Sequence, residues 1–102
     1  MVEVEVGALA PGEMRLVEAG PLTIGVYNCE GRYLAIEDRC SHDDGPLCEG
    51  DWDEGSCTVV CPRHGSVFEL ATGTPRSLPA YLPVETFPVQ VVDGIIRVDV
   101  GD

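Results

Sequence analysis

The chain has no run of eighteen apolar residues, the length a membrane-crossing helix needs. Its first residues, MVEVEVGALAPGE, offer neither the basic nor the apolar stretch of an export signal. Both absences point to a cytoplasmic protein. Basic residues are scarce, six against eighteen acidic ones, for a formal charge of −12. That sign is wrong for gripping phosphate backbones or anionic lipid, so neither nucleic acid nor a membrane is expected as a partner. Helical spacing never persists for three turns, because one of the 12 Gly or 8 Pro interrupts it too soon. A chain of 102 residues also leaves no room for a catalytic domain of several hundred. One domain of this size buries roughly 65% of its unfolded surface, so a bound metal or a covalent staple would help it. Five cysteines, an odd count without an export signal, argue against a disulfide framework and for metal or redox chemistry.

What is present is period-2 alternation, the mark of an all-β chain. Val2, Val4 and Val6 alternate with Glu3 and Glu5, so a first strand is expected with its valines inward. Met14 to Glu18 and Leu22 to Asn28 read as strands around Gly20-Pro21, and Glu30-Gly31 turns the chain into Arg32 to Glu37. Phe87 to Val92 and Ile95 to Val100 flank Asp93-Gly94, a dipeptide suited to the positive φ angles of a two-residue hairpin turn.

Residues 39 to 79 differ. They are short on strand pattern, rich in Gly, Pro, Cys and Asp, and hold both histidines and four of the five cysteines. Within them, Cys40-Ser41-His42 and Cys61-Pro62-Arg63-His64 form two Cys/His pairs, separated by residues 43 to 60. Short spacing lets both side chains of a pair approach one centre at low entropic cost. Two thiolates and two imidazoles fit either a tetrahedral zinc or a two-iron cluster with Cys on one iron and His on the other. Zinc fingers usually group their cysteines and their histidines separately, whereas here each loop supplies one of each, which favours the cluster.

CSH followed by CPRHGSVF, with GTP and the proline-rich LPAYLP downstream, resembles the Rieske iron-sulfur domain, and the compact form resembles Rieske-type ferredoxins that feed oxygenases. The resemblance implies an antiparallel β-sandwich basal unit, residues 1–38 and 80–102, with a cluster-binding subdomain inserted at 39–79. It implies one [2Fe-2S] cluster per chain, with Cys40 and Cys61 on the inner iron and His42 and His64 on the exposed one. It also implies that the protein is a one-electron carrier and not an enzyme, a monomer working between a ferredoxin reductase and a terminal oxygenase. A nitrite reductase or the machinery of iron-sulfur cluster assembly are alternative acceptors, and a structural zinc module is the alternative to the cluster. A free-standing oxygenase would need a second iron site, and both histidines are already committed.

The family's high-potential branch carries an extra cysteine in each ligand loop, where this sequence has Gly45 and Arg63. Ser66 matches a serine that donates to a bridging sulfur in that branch, but Phe68 stands where a tyrosine hydroxyl would donate. Fewer donors imply a potential in the lower part of the Rieske range, nearer about −150 mV than about +300 mV. Of the remaining cysteines, Cys29 and Cys57 read as small buried hydrophobes and Cys48 as semi-exposed, with a Cys48–Cys57 bridge disfavoured in a reducing compartment. Trp52 reads as a packing residue beneath the cluster. The acidic run Asp43, Asp44, Glu49, Asp51, Asp53 and Glu54 reads as a solvated loop or as a docking surface for a basic partner.

Overall fold

A computed structural model describes residues 2–7, 9–40, 45–63, 65–78, 80 and 82–101, without the side chains of residues 2–6 and 101. The described residues form strands only: β1 (Val2–Val6), β2 (Met14–Ala19), β3 (Leu22–Cys29), β4 (Arg32–Glu37), β5 (Trp52–Asp53), β6 (Thr58–Val60), β7 (Val67–Glu69), β8 (Thr86–Phe87), β9 (Val89–Val92) and β10 (Ile95–Gly101). They make three antiparallel sheets in the orders β1-β10-β9, β2-β3-β4-β8 and β5-β6-β7. The first strand therefore forms where alternation placed it, while the facing of its valines lies outside the described residues.

The four-stranded sheet sits between the other two and is apolar on both faces. Along β3 and β4, Ile24, Val26 and Ala35 face the first sheet, where they bury against Leu9, Ile96 and Val98. Tyr27, Cys29 and Ile36 face the opposite way and join Leu47, Cys48, Val59, Phe68 and Leu70 in a second core. Because side chains alternate across a strand, one stretch, Ile24–Cys29, is buried throughout and feeds both cores. Fully burying one such branched or aromatic side chain stabilises by roughly 1.5–3 kcal/mol.

Turn chemistry sets the hairpin registers. Glu30 and Gly31 have φ of 54° and 97°, and Asp93 and Gly94 have 51° and 77°. Both turns take two consecutive left-handed residues, the geometry that matches strand twist, and the pairs Cys29↔Arg32 and Val92↔Ile95 close directly over them.

Three expectations are corrected. Phe87 to Val92 is not one strand: Pro88, with no N–H to give a ladder, divides it, so that β8 pairs with β4 while β9 pairs with β10. Cys29 and Cys57 are not separate hydrophobes but a disulfide, with Cα atoms 5.7 Å apart. The bridge joins the β3–β4 turn to the β5–β6 turn, two places 28 residues apart that meet only when the sheets pack. Closing a loop of that length stabilises by about 3–4 kcal/mol on the chain-entropy argument. Cys48 is likewise not semi-exposed. It is buried as a free thiol.

Two glycines mark close approaches between layers. A Cβ on Gly25 would strike the Cys48 sulfur, and one on Gly50 would strike the Val60 carbonyl oxygen. The first obstacle is a side chain that can turn aside, and the second is the backbone of β6. Gly50→Ala is therefore expected to lower stability by about 3 kcal/mol or more and Gly25→Ala by less, near 1–2 kcal/mol, with Cys48→Ala relieving only the latter. Urea unfolding midpoints of wild type, the three single variants and each glycine variant combined with Cys48→Ala check this order.

Candidate metal centre

Each cysteine of the two Cys/His pairs lies shortly after a strand. Cys40 lies three residues beyond β4, and Cys61 immediately follows β6. Neither is disulfide-bonded; they are 0% and 1% exposed, and both belong to the core between the second and third sheets. His42 and His64 lie outside the described residues, as do Asp43, Asp44, Pro79 and Tyr81. Among the described residues, which leave out both histidines, no three potential ligands gather.

The first loop is organised by Asp38. One of its carboxylate oxygens accepts the amide protons of both Leu47 and Cys48, at 2.8 and 2.7 Å, while the Cys40 N–H donates to the Gly45 carbonyl at 2.8 Å. A charged acceptor makes the stronger kind of hydrogen bond, and two of them tie residues 38 and 48 together around Cys40. In the second loop the Cys61 N–H donates to the Ser66 carbonyl at 2.8 Å, and the Gly65 N–H donates to the Cys61 carbonyl at 2.9 Å. Gly65 has φ of 76°, a left-handed conformation that a residue with a Cβ adopts at a cost.

A third segment closes over the second loop. The fully buried Ser66 hydroxyl accepts the Ala80 N–H at 3.1 Å, and the Ser77 hydroxyl accepts the Val67 N–H at 3.0 Å. Ser66 keeps its own O–H to donate. Leu78, beside these contacts, stands 78% exposed, an apolar side chain held out into solvent. Phe68 is buried without exposure and offers no donor, as its side chain dictates.

Beneath the first loop, Tyr27, Cys48 and Asp38 meet. The Tyr27 hydroxyl is buried and, among the described residues, has no hydrogen-bond partner. Its ring packs edge-on against Trp52, with centroids 4.9 Å apart, so Trp52 is a packing residue as expected. Burial first, then the neighbouring Asp38 charge, pushes the Cys48 thiol up to about 12, partly opposed by a favourable contact with Tyr27. Burial also raises the Tyr27 phenol, with Cys48 adding to the effect.

The acidic run is partly used internally. Asp53 accepts the Gly55 N–H and the Ser56 hydroxyl at 3.1 and 2.9 Å, and Glu54 accepts the Glu30 N–H at 3.1 Å, tying the third sheet to the second. Glu49 and Asp51 remain exposed.

Sequence reasoning missed Asp38, whose two acceptor bonds reach nine and ten residues down the chain and leave no local pattern. It also missed the Tyr27–Cys48 contact, which depends on Gly25 leaving room for sulfur.

A family model described as the Rieske [2Fe-2S] domain matches residues 1–88. The chain belongs to the Rieske family. Among curated relatives, it is 40% identical over 94 residues to the 3-phenylpropionate/cinnamic acid dioxygenase ferredoxin subunit of Photorhabdus laumondii, covering 92% of this chain and 88% of that protein. The Escherichia coli K12 protein of the same description is 40% identical over 91 residues, covering 89% and 84%. Among solved structures, the ferredoxin of carbazole 1,9a-dioxygenase from Nocardioides aromaticivorans IC177 superposes with a TM-score of 0.88 at 30% identity, covering 96% of this chain and 97% of that one. A ferredoxin in complex with the oxygenase of carbazole 1,9a-dioxygenase gives 0.86 at 34% identity, covering 94% and 91%. A Rieske domain implies a [2Fe-2S] cluster, and the donor set fits one: two buried, unbridged thiols on separate loops and, in sequence, one histidine close behind each.

The raised thiol and phenol give a pH prediction. A group protonated in the fold and held above its ordinary value stabilises fully below that ordinary value, and the contribution is lost as pH rises through the folded value. For Cys48 the window runs from 9.0 to about 12. All six basic residues are arginine, so no lysine titrates in that range. Stability is expected to fall across the window by at most about 1.4 kcal/mol per pH unit for Cys48. Chemical denaturation at stepped pH is expected to show a shallower fall for Cys48→Ala, and for Tyr27→Phe a shallower fall above about pH 10.

Proposed function

We propose that this chain is a one-electron carrier holding one [2Fe-2S] cluster, with Cys40 and Cys61 on the inner iron and His42 and His64 on the outer. It accepts an electron from a ferredoxin reductase and delivers it to a terminal oxygenase. The observation that carries this reading is the pair of buried, unbridged thiols, Cys40 and Cys61, in a chain whose residues 1–88 match the Rieske domain. The ferredoxin subunits among its relatives, and the ferredoxin–oxygenase complex among the similar structures, support the choice of partner.

The cluster supplies reversible one-electron redox chemistry. The chain's own residues do the rest. Cys40 and Cys61 sit in an apolar core that keeps water from the sulfurs, and the backbone bonds within each loop fix the donors before anything binds, so little reorganisation accompanies a change of charge. Asp38 and Ser66 hold the two loops from below and from the side. Exposed Leu78 and Leu82 supply apolar surface beside the ligand loops, and the excess of carboxylates suits a basic partner face.

Iron and acid-labile sulfide analysis of anaerobically prepared protein, with visible and EPR spectra, tests the reading. Two irons and two sulfides per chain, lost in His42→Ala and His64→Ala, are expected. A colourless protein with one zinc per chain would overturn it.

The potential is expected in the lower part of the Rieske range, nearer about −150 mV than about +300 mV, and voltammetry well above about 0 mV would contradict the low-donor argument. Arg63, exposed within the second Cys/His pair, is the nearest cation in sequence to His64. Arg63→Gln is expected to lower the potential by a few tens of millivolts, the size of about 1 kcal/mol for a solvent-screened charge. An unchanged potential would assign Arg63 to partner docking or to plain solubility.

A further inference from the structure

The Cys29–Cys57 disulfide has no part in carrying an electron, yet it sits where it controls a ligand loop. Cys57 immediately precedes β6, and Cys61 immediately follows it, so crosslink and ligand occupy the two ends of one three-residue strand. Three residues of extended chain, four Cα-to-Cα steps, separate them, about 13 Å. The Cys57 carbonyl also accepts the Leu70 N–H at 3.0 Å, which closes the base of the β6–β7 hairpin. The tip of that hairpin is the loop carrying Cys61 and Gly65. Cys57 is therefore the hinge residue of the hairpin, and the disulfide bolts that hinge to the end of β3.

The hinge is held in an unfavourable conformation. Cys57 has φ of 55°, a left-handed backbone that a residue with a Cβ keeps only when its surroundings impose it. Besides the disulfide, the same seam is joined by the exposed Glu30–Glu54 hydrogen bond at 3.1 Å and by the Tyr27–Trp52 ring contact. The first is solvent-exposed and weak, and the second grips β5 rather than Cys57. Opening the disulfide removes the one covalent restraint on a strained hinge.

We propose that the Cys29–Cys57 disulfide is a thiol-controlled clamp on the hairpin that carries Cys61: closed, it fixes the ligand loop, and opened by a dithiol reductant, it loosens that loop's hold on the cluster. The proposal rests on the reading of Cys61 as a ligand. The chemistry balances as a two-electron exchange. A thiolate of the dithiol attacks the half-buried Cys57 sulfur, the S–S bond breaks, and Cys29 leaves as a thiolate that takes up a proton. The second thiol of the reductant then attacks the mixed disulfide, releasing Cys57 as a thiol and the reductant as its own disulfide. Because Cys29 is only 3% exposed, its departing thiolate is poorly solvated, so opening is slow and the clamp outlasts brief contact with reductant.

The test uses the purified cluster-loaded protein with dithiothreitol as the dithiol, alongside the double variant Cys29→Ser/Cys57→Ser. Maleimide labelling in acidic denaturant, read by intact mass, is expected to count three thiols before reduction and five after. At raised temperature, reduced wild type and the double variant are expected to lose visible absorbance several-fold faster than oxidised wild type. The double variant is expected not to respond to dithiothreitol, which separates clamp opening from extraction of iron by the reagent. Five thiols before reduction, or equal rates of absorbance loss in all forms, would overturn the clamp. If oxidised wild type shows no visible absorbance, the ligand assignment has failed. The clamp rests on that assignment and falls with it, whereas visible absorbance with equal loss rates in all forms overturns the clamp alone.

Discussion

A single strand with no solvent face organises this molecule. β3 lies inside the middle sheet, with Ile24 and Val26 packed into one core and Tyr27 and Cys29 into the other. Whatever fixes β3 fixes both. The buried Asn28 shows how tightly it is held, since its side-chain amide donates to the Leu9 carbonyl at 2.9 Å and its oxygen accepts the Gly31 N–H at 2.7 Å. These bonds satisfy polar groups that would otherwise be costly to bury.

The loops that carry Cys40 and Cys61 gain rigidity from that platform and not from regular structure of their own. The third sheet has strands of only two or three residues, too short to be independently stable. Its place is fixed by contacts with its neighbours: Phe68, Leu70 and Val59 against the middle sheet, the disulfide at one end, and Asp38 drawing the first loop in at the other. Each loop then presents a cysteine whose sulfur is buried and whose backbone is already hydrogen-bonded. An electron-transfer centre benefits from such a cradle, because groups that do not move when charge arrives add little to the barrier.

Much of this was legible in the residues, for identifiable reasons. β2, β3, β4 and β10 follow from alternation, and their ends from Gly20-Pro21, Glu30-Gly31 and Asp93-Gly94, where turn chemistry is local. The two Cys/His pairs announced themselves by composition and spacing, and the family match agrees with the resemblance they carried. What escaped was non-local. Cys29 and Cys57 look like any two cysteines until two turns converge, and burial of Cys48 depends on the missing side chain at Gly25. Strands as short as Trp52–Asp53 carry no periodicity to detect. Pro88 was visible, but only the pairing of β8 with β4 explains that its neighbours serve different sheets.

That switch at Pro88 ties the first two sheets into one cooperative unit. One residue separates Phe87, paired with Ala35, from Val89, paired with Val98, and the Pro88 carbonyl itself accepts the Asp99 N–H at 2.9 Å. There is no slack in such a connection, so the outer sheet cannot peel away while the middle one stays intact. The platform beneath the ligand loops thus resists partial opening as a matter of chain connectivity, independently of how much apolar surface it buries.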